Sequence, residues 1–420
     1  MRGGRRLGRR FGWLWAAYGT GALGTWLAFG AFPLIAIQVL HAGPAEVALL
    51  ASAGAAVGAA VAVPLGPWVE FRRKRPVLIA MDLARCAALL TVPVAFALGV
   101  LGFLHLLLVS VVVAAADITF RAASGAYLKT LLPAGDLLVA NARLESTAWA
   151  TTIVGPPLGG AAIGLLGPVA TVVADAVSYL LSALGLRAMG GDEPRPERAQ
   201  AGHRVDGKGM RGGDLLDGWR YVLADPTLRP LFFNTVLFNG LVMAASPLLA
   251  LLMLGPLGFA PWQYGLAFAL PSIGGLLGSR LARPLVGRFG QHRVLVGSGA
   301  LRAIWPVGLA FVGPGGGGLL LVMGVEFGLI LCCGVFNPVQ ATQRLERTPP
   351  DRVARTLSAW AVTSKASTAL LTALWGVLGV LLGPRTALGL AGVLVLATPF
   401  LLPRRAPTPP PGPGTTPAVG

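Results

Sequence analysis

Long apolar runs broken by short polar segments dominate the chain. Each run is close to the roughly 20 residues that an α-helix needs to cross a bilayer. They fall at about 12–40, 46–69, 77–99, 101–127, 146–166, 168–189, 230–254, 262–282, 294–313, 317–338, 357–382 and 385–403. This pattern predicts twelve membrane spans, six on each side of a polar stretch. The expected organisation is a first six-helix bundle over 1–189, a linker over 190–228 and a second bundle over 229–403. A Pro-rich tail over 404–420 has too little apolar surface to pack. Within the linker, Leu215–Leu223 reads as a short amphipathic helix.

Composition supports the membrane reading. Hydrophobic residues make up 55% and charged residues 12% of 420, and mean hydropathy is +0.70; a soluble domain carries about twice that charge. Net charge is +17. It sits in alternate loops: Arg72–Arg75; Lys129 and Arg143; Arg195, Arg198, Arg204, Lys208, Arg211 and Arg220; Arg283, Arg288 and Arg293; Arg344, Arg347, Arg352 and Arg355; then Arg404 and Arg405. The intervening loops hold only Arg385. That asymmetry places the basic side and both termini in the cytoplasm, as expected for a multi-pass protein of a bacterial inner membrane. It also explains the charge without nucleic acid. Cys86, Cys332 and Cys333 lie inside apolar runs, and the four histidines are scattered, so neither a disulfide framework, a metal site nor a cofactor is expected. No Gly-x-x-x-x-Gly-Lys-Ser/Thr loop is present.

The loop from Gly66 to Pro76 has a counterpart half a chain later. An offset of 217 residues carries Pro67 to Pro284, Val69 to Val286, Val77 to Val294, Leu78 to Leu295 and Arg85 to Arg302. The first loop pairs Gly66 and Glu70 with a basic end, Arg72, Arg73, Lys74 and Arg75. The fifth span carries Gly155-Pro156-Pro157-Leu158-Gly159-Gly160. With the 6+6 pattern, these motifs resemble the major facilitator superfamily. There the loop motif is Gly-x-x-x-Asp-Arg-x-Gly-Arg-Arg/Lys, and Gly-Pro-x-x-Gly-Gly is the core of an antiporter motif. Phe71 and Arg73 depart from the first pattern, and Thr151 stands where the second usually begins with Gly. The runs Asn141-Ala-Arg143-Leu144-Glu145 and Asp175-Ala-Val-Ser178-Tyr179 are similar to the enterobactin- and macrolide-type exporter branch. The resemblance covers about 11–403. It implies a monomeric secondary transporter, not an enzyme, that exports a small organic molecule by proton antiport; an importer or a carrier of lipid-like substrates is the alternative.

Charges inside the spans are the sharpest chemical signal, because each costs about 2.5–3.5 kcal/mol at a helix centre. Asp82 with Arg85, and Asp117 with Arg121, sit three and four apart near the inner ends of their helices and can pair on one face. Arg302 is expected to behave like Arg85. The basic loop is either a topology signal alone or a conformational latch, in which Glu70 meets a base or a helix N-terminus and the arginines reach Asp82 or Asp117. Glu326 lies in mid-span with no base within four positions. It can carry a coupling proton, or bridge to Lys365 or Arg302. Gly155/Gly159 and Gly160/Gly164 have the spacing of close helix contacts, as do Gly54/Gly58 and Gly274/Gly278; Pro156 and Pro157 predict a kink, giving either generic packing or a hinge. Trp26, Asn234 and Asn239 are candidate cavity residues, and Asp175 a packing residue. The first span carries no carboxylate, which weighs against a purely cationic substrate.

Overall fold

The computed structural model describes residues 7–28, 31–41, 50, 56–57, 60, 64–65, 68–70, 72–190, 193 and 212–403. Most of the second predicted span, most of the linker, the tail and Gly66 therefore lie outside the described residues. The first half contributes α1 (Arg9–Leu27), α2 (Ala31–Gln38), α3 (Lys74–Ala97), α4 (Phe103–Leu131), α5 (Ala134–Leu166) and α6 (Pro168–Ala188). The linker contributes α7 (Gly212–Ala224). The second half contributes α8 (Leu228–Leu254), α9 (Pro261–Ala269), α10 (Ser272–Phe289), α11 (Gln291–Ile304), a 3₁₀ turn (Trp305–Phe311), α12 (Gly315–Arg347), α13 (Val353–Leu382) and α14 (Pro384–Ala397). Among the described residues, ten helical segments are long and apolar enough to cross a membrane, or eleven if the bent α5 counts as one.

The outer surface is apolar where a bilayer would lie: Leu165 is 84% and Val380 86% exposed, a pattern that only a lipid solvent favours. Reversals between spans are tight. Single glycines with φ near +83°, Gly167, Gly290 and Gly383, each end one helix and begin the next. That backbone conformation favours glycine. Pro168 and Pro384 follow as first-turn residues, where the missing N–H costs nothing.

Several helices differ from the hydropathy pattern. α5 begins at Ala134, twelve residues before the predicted start of 146, so Arg143 and Glu145 lie within a helix. α12 runs on to Arg347. The first span pauses between α1 and α2, the eighth divides at Leu270–Pro271, and the ninth tightens into the 3₁₀ turn at Pro306. The internal repeat is visible in burial. Val77 and Leu78 at the start of α3, like Val294 and Leu295 at the start of α11, are almost fully buried.

Candidate functional site

A polar cluster occupies the centre of the molecule, between the halves. Arg121 lies on α4, and its backbone neighbours Phe120 and Ala122 are 5% and 1% exposed. Yet its side chain is 62% accessible. Its Nε donates to Asp117 Oδ2 at 2.8 Å. Its other electrostatic neighbours are Tyr18 of α1 and Glu145 of α5, and Lys365 of α13 acts on Asp117. An accessible cation surrounded by polar groups from four helices faces an internal space, not lipid. Glu145 closes one side of it: Oε1 accepts from Trp149 Nε1 at 2.9 Å and from Asn337 Nδ2 of α12 at 2.8 Å. Trp15 Nε1 donates to Thr147 Oγ1 at 2.7 Å. Asp117 is the middle residue of α4, so this pair sits at mid-span and not near the inner end. Lys365 is exposed toward the same region, and no hydrogen bond or ion pair reaches it among the described residues.

Two buried arginines flank the cluster and differ instructively. Arg85 pairs with Asp82 and reaches Asp117 at 3.5 Å, while Ser182 donates to Asp82 at 2.6 Å. Its guanidinium lies between Phe120 and Tyr179, 4.7 and 4.1 Å from the ring centroids. Among the described residues, neither Asp82 nor Asp117 makes a hydrogen bond or ion pair to the basic loop. Arg302 is fully buried and lies between Phe238 and Phe336, at 3.9 and 3.6 Å. It has no carboxylate among the described residues, and its Nη2 donates to Asn234 Oδ1 at 2.6 Å. The expectation that it repeats the Arg85 pairing therefore fails. The reason lies in the sequence: the 217-residue offset carries Asp82 to Gly299 and Asp117 to Gly334. Asn234 also donates to Thr398 O at 2.7 Å and is wholly buried, so it braces Arg302 and does not line a cavity. Asn239 is exposed on α8. Glu326 is 8% exposed on α12. Among the described residues no bridge joins it to Lys365 or Arg302, and it acts electrostatically on Tyr264 of α9.

At the end of the molecule that carries the basic loops, the halves are closed upon each other. Lys129 at the end of α4 donates to the carbonyls of Leu345 and Thr348, capping the C-terminus of α12. Asn141 Nδ2 donates to Thr342 Oγ1 at 2.9 Å, and Ser146 and Ser279 share a 2.6 Å hydrogen bond. Glu70 meets Arg355 in the first turn of α13, and Arg355 Nη1 donates to Asp217 of α7 at 3.1 Å. Burial pushes the Glu70 carboxyl up to about 8, with Arg355 opposing the rise. α7 is pinned beneath the second half by Trp219 to Thr363 (2.8 Å) and Tyr221 to Arg347 O (2.7 Å). Beneath these links, Leu128 and Leu132 pack with Leu345, Val353 and Leu357.

The rest of the basic loop stays within the first half. Lys74 Nζ donates to the carbonyls of Val69, Glu70 and Arg72 at 2.9, 2.6 and 3.0 Å. Arg75 Nε donates to Leu186 O at 2.8 Å, at the end of α6. Arg72 lies over the Trp68 ring at 5.2 Å, and Arg73 is exposed. The fifth-span motif forms a close seam with α1. A Cβ at Gly155 would collide with Trp26 Cβ, and one at Gly159 with Leu27 O. Trp26 is thus placed at this helix contact. α5 bends by 41° between Gly155 and Pro157, at Pro156. Gly160 and Gly164 face open space and form no close contact. Gly274 and Gly278 do, against Phe327 and Leu331 of α12, while Gly54 and Gly58 lie outside the described residues. Gly24 fits against Ser178 and Asp175, where Ser178 Oγ donates to Asp175 O at 2.7 Å.

In sequence, the family described as Major Facilitator Superfamily matches residues 14–330 and again 231–419. The chain belongs to the major facilitator superfamily. It is accordingly a multi-pass membrane transporter acting on small molecules, and not an enzyme. Among solved structures, a bacterial homologue of the iron transporter ferroportin in an outward-facing state is similar over 92% of this chain and 98% of that one, at 18% identity and a TM-score of 0.74. The human organic anion transporter MFSD10 (TETRAN) is similar over 94% and 98%, at 14% identity and a TM-score of 0.74. The E. coli fucose:proton symporter FucP is similar over 94% and 97%, at 14% identity and a TM-score of 0.67. At such identities the likeness shows the shared fold. No curated protein matches the chain in sequence.

Proposed function

We propose that this transporter exports a small organic molecule across a bacterial inner membrane by proton antiport, as a monomer whose basic end faces the cytoplasm. One observation carries the reading: an accessible polar cluster, Tyr18, Asp117, Arg121, Glu145 and Lys365, sits directly above a seam closed mainly by polar links. Alternating access needs a central site and a gate that can be exchanged from one side to the other. Arg121 has donors left over after its bond to Asp117, and Lys365 has all of its own. Together they favour a substrate with an anionic group, in keeping with the absence of a carboxylate on α1.

The proton has a candidate carrier in Glu145, whose carboxylate links the substrate space to the seam through Asn337. Protonation would weaken that link and release the gate. Glu326 remains a second carrier. Export is the direction supported by the antiporter-like Gly155–Gly160 motif and by the exporter-like run from Asn141 to Glu145, which supplies two of the seam contacts. In this reading Glu70 and the Arg72–Arg75 loop form the latch region, with Arg355 and Asp217 completing it.

The test is accumulation of antibiotics, dyes and siderophores in cells expressing the protein, with and without a protonophore. Lower accumulation that is restored by protonophore is the expected result. Higher accumulation on expression would make the protein an importer, and export insensitive to protonophore would remove the proton.

A further inference from the structure

The first half carries a recess of about 420 Å³ at its basic end, away from the seam, between the start of α3 and the end of α6. Its chemistry is divided. Arg73, Arg75 and Arg187 supply three guanidinium groups, whereas Ile79 and Leu83 form an apolar wall. Leu83 is 44% exposed, and Leu90 and Val94 continue its face along α3 at 39% and 58%. The wall thus opens onto the lipid-facing surface. Among the described residues the one carboxylate lining it, Glu193, is already engaged: it accepts the backbone N–H groups of Lys74 and Arg75 at 2.6 and 2.9 Å, at the start of α3. Its charge is directed at a helix N-terminus. Arg75 is fixed by the α6 carbonyls of Leu186 and Arg187 and by Gly190 O just beyond the helix. Arg73 and Arg187 are exposed, and among the described residues no hydrogen bond or ion pair holds either guanidinium.

We infer that this recess binds the headgroup of an anionic phospholipid, with the phosphate between Arg73 and Arg187 and an acyl chain along Leu83. Guanidinium groups match phosphate oxygens in geometry as well as in charge. A soluble phosphate would use the rim alone, whereas a lipid uses rim and wall together. A zwitterionic headgroup brings its own cation against three arginines and is disfavoured.

The test is lipid retention by the purified full-length protein in detergent, titrated with phosphatidylglycerol or phosphatidylcholine and read by native mass spectrometry. Phosphatidylglycerol is expected to be retained several-fold over phosphatidylcholine. Each arginine near the surface is worth about a factor of five in anionic lipid binding. The double variant Arg73→Gln/Arg187→Gln is therefore expected to lose about 20-fold or more of that retention, with an unchanged melting temperature because both side chains are exposed. Arg283→Gln, in the related loop of the second half, serves as the control and should keep it. Equal retention of the two lipids, an unaffected double variant, or an equal loss in Arg283→Gln would overturn the inference. So would displacement of the lipid by millimolar inorganic phosphate, which would identify a site for soluble anions.

Discussion

Replacing Glu145 by Gln tests the link between proton and gate. The substitution keeps the shape of the side chain and removes its charge, imitating the protonated acid. Glu145 Oε1 accepts two hydrogen bonds, from Trp149 and from Asn337, at 2.9 and 2.8 Å. Bonds to a charged acceptor contribute about 1.5–3 kcal/mol, and neutral ones about 0.5–1.5. Each bond therefore loses roughly 1 kcal/mol. Trp149 lies four residues along the same helix, so its bond is made whether the seam is open or closed. Arg121, which also attracts Glu145, belongs to the same half and biases neither state. Only the Asn337 bond crosses to α12. The closed state should thus lose about 1 kcal/mol relative to the open one, a shift of about 5-fold in their ratio. Spin labels at Thr130 and Asp351, introduced in a cysteine-free background, report the separation at the basic end by double electron–electron resonance. The open population of Glu145→Gln should rise about 5-fold, and adding Asn337→Ala should add only the roughly 0.5–1.5 kcal/mol of the remaining neutral bond, less than it costs in the parent protein, because both changes act on the same link. An unchanged distance distribution, or fully additive effects of the two substitutions, would refute the reasoning.

Lys129→Met removes the cap on α12 while keeping the length of the side chain; the same spin-label pair should show a larger open fraction, by about 1–3 kcal/mol for lost charge-assisted bonds. Gly155→Leu forces a side chain into Trp26 and should cost about 1–3 kcal/mol or more by overpacking, read as a lower melting temperature, whereas Gly160→Ala, in open space, should leave it unchanged. Glu70 gives a pH dependence. Its carboxyl, raised to about 8 in the closed state, favours the protonated form there, so the closed state gains stability at low pH and loses it as pH rises through about 8. The open fraction should therefore rise progressively between about pH 4.5 and 8 and level off above it, and Glu70→Gln should abolish the rise; a rise that persists in the variant removes Glu70 from the gate.

Some of this architecture is legible in the chain's hydropathy and motifs, and the rest is hidden for physical reasons. Hydropathy reports the side of a helix that meets lipid. It located most spans, because exposed positions such as Leu165 and Val380 are apolar. It misread the start of α5, because Asp136, Asn141, Arg143 and Glu145 make its first three turns look like a loop. Two of those polar residues, Asn141 and Glu145, form the inward face along the seam. The Gly-Pro-Pro run disclosed its bend because a proline acts on its own helix. Glu145 with Asn337, and Lys129 with Thr348, are joined across 192 and 219 residues, and no local pattern records such a pairing. Arg302 was within reach: the same offset that matched it to Arg85 also showed glycines where its carboxylates would have been.

The distribution of close contacts explains why the molecule can move as two halves. Inside each half some glycines meet side chains, Gly240 against Leu371 and Gly379 against Leu248, but others bring helices together at the level of the backbone, Gly159 against Leu27 O and Gly278 against Leu331 O. Such contacts leave no room for sliding, because interiors are packed without slack. Across the seam, glycines meet the ends of side chains instead, Gly125 against Leu357 Cδ1 and Gly275 against the Trp149 ring, and side chains can change rotamer. The polar links there exchange for water on opening, so each contributes only about 0.5–3 kcal/mol net. A handful of them, with the small apolar patch around Leu345 and Leu357, holds the gate shut by an amount that one protonation or one bound substrate can offset. Stiff halves and a labile seam are what rocking around a central site requires, and the backbone-to-backbone glycine contacts lie within the halves while those across the seam meet side chains.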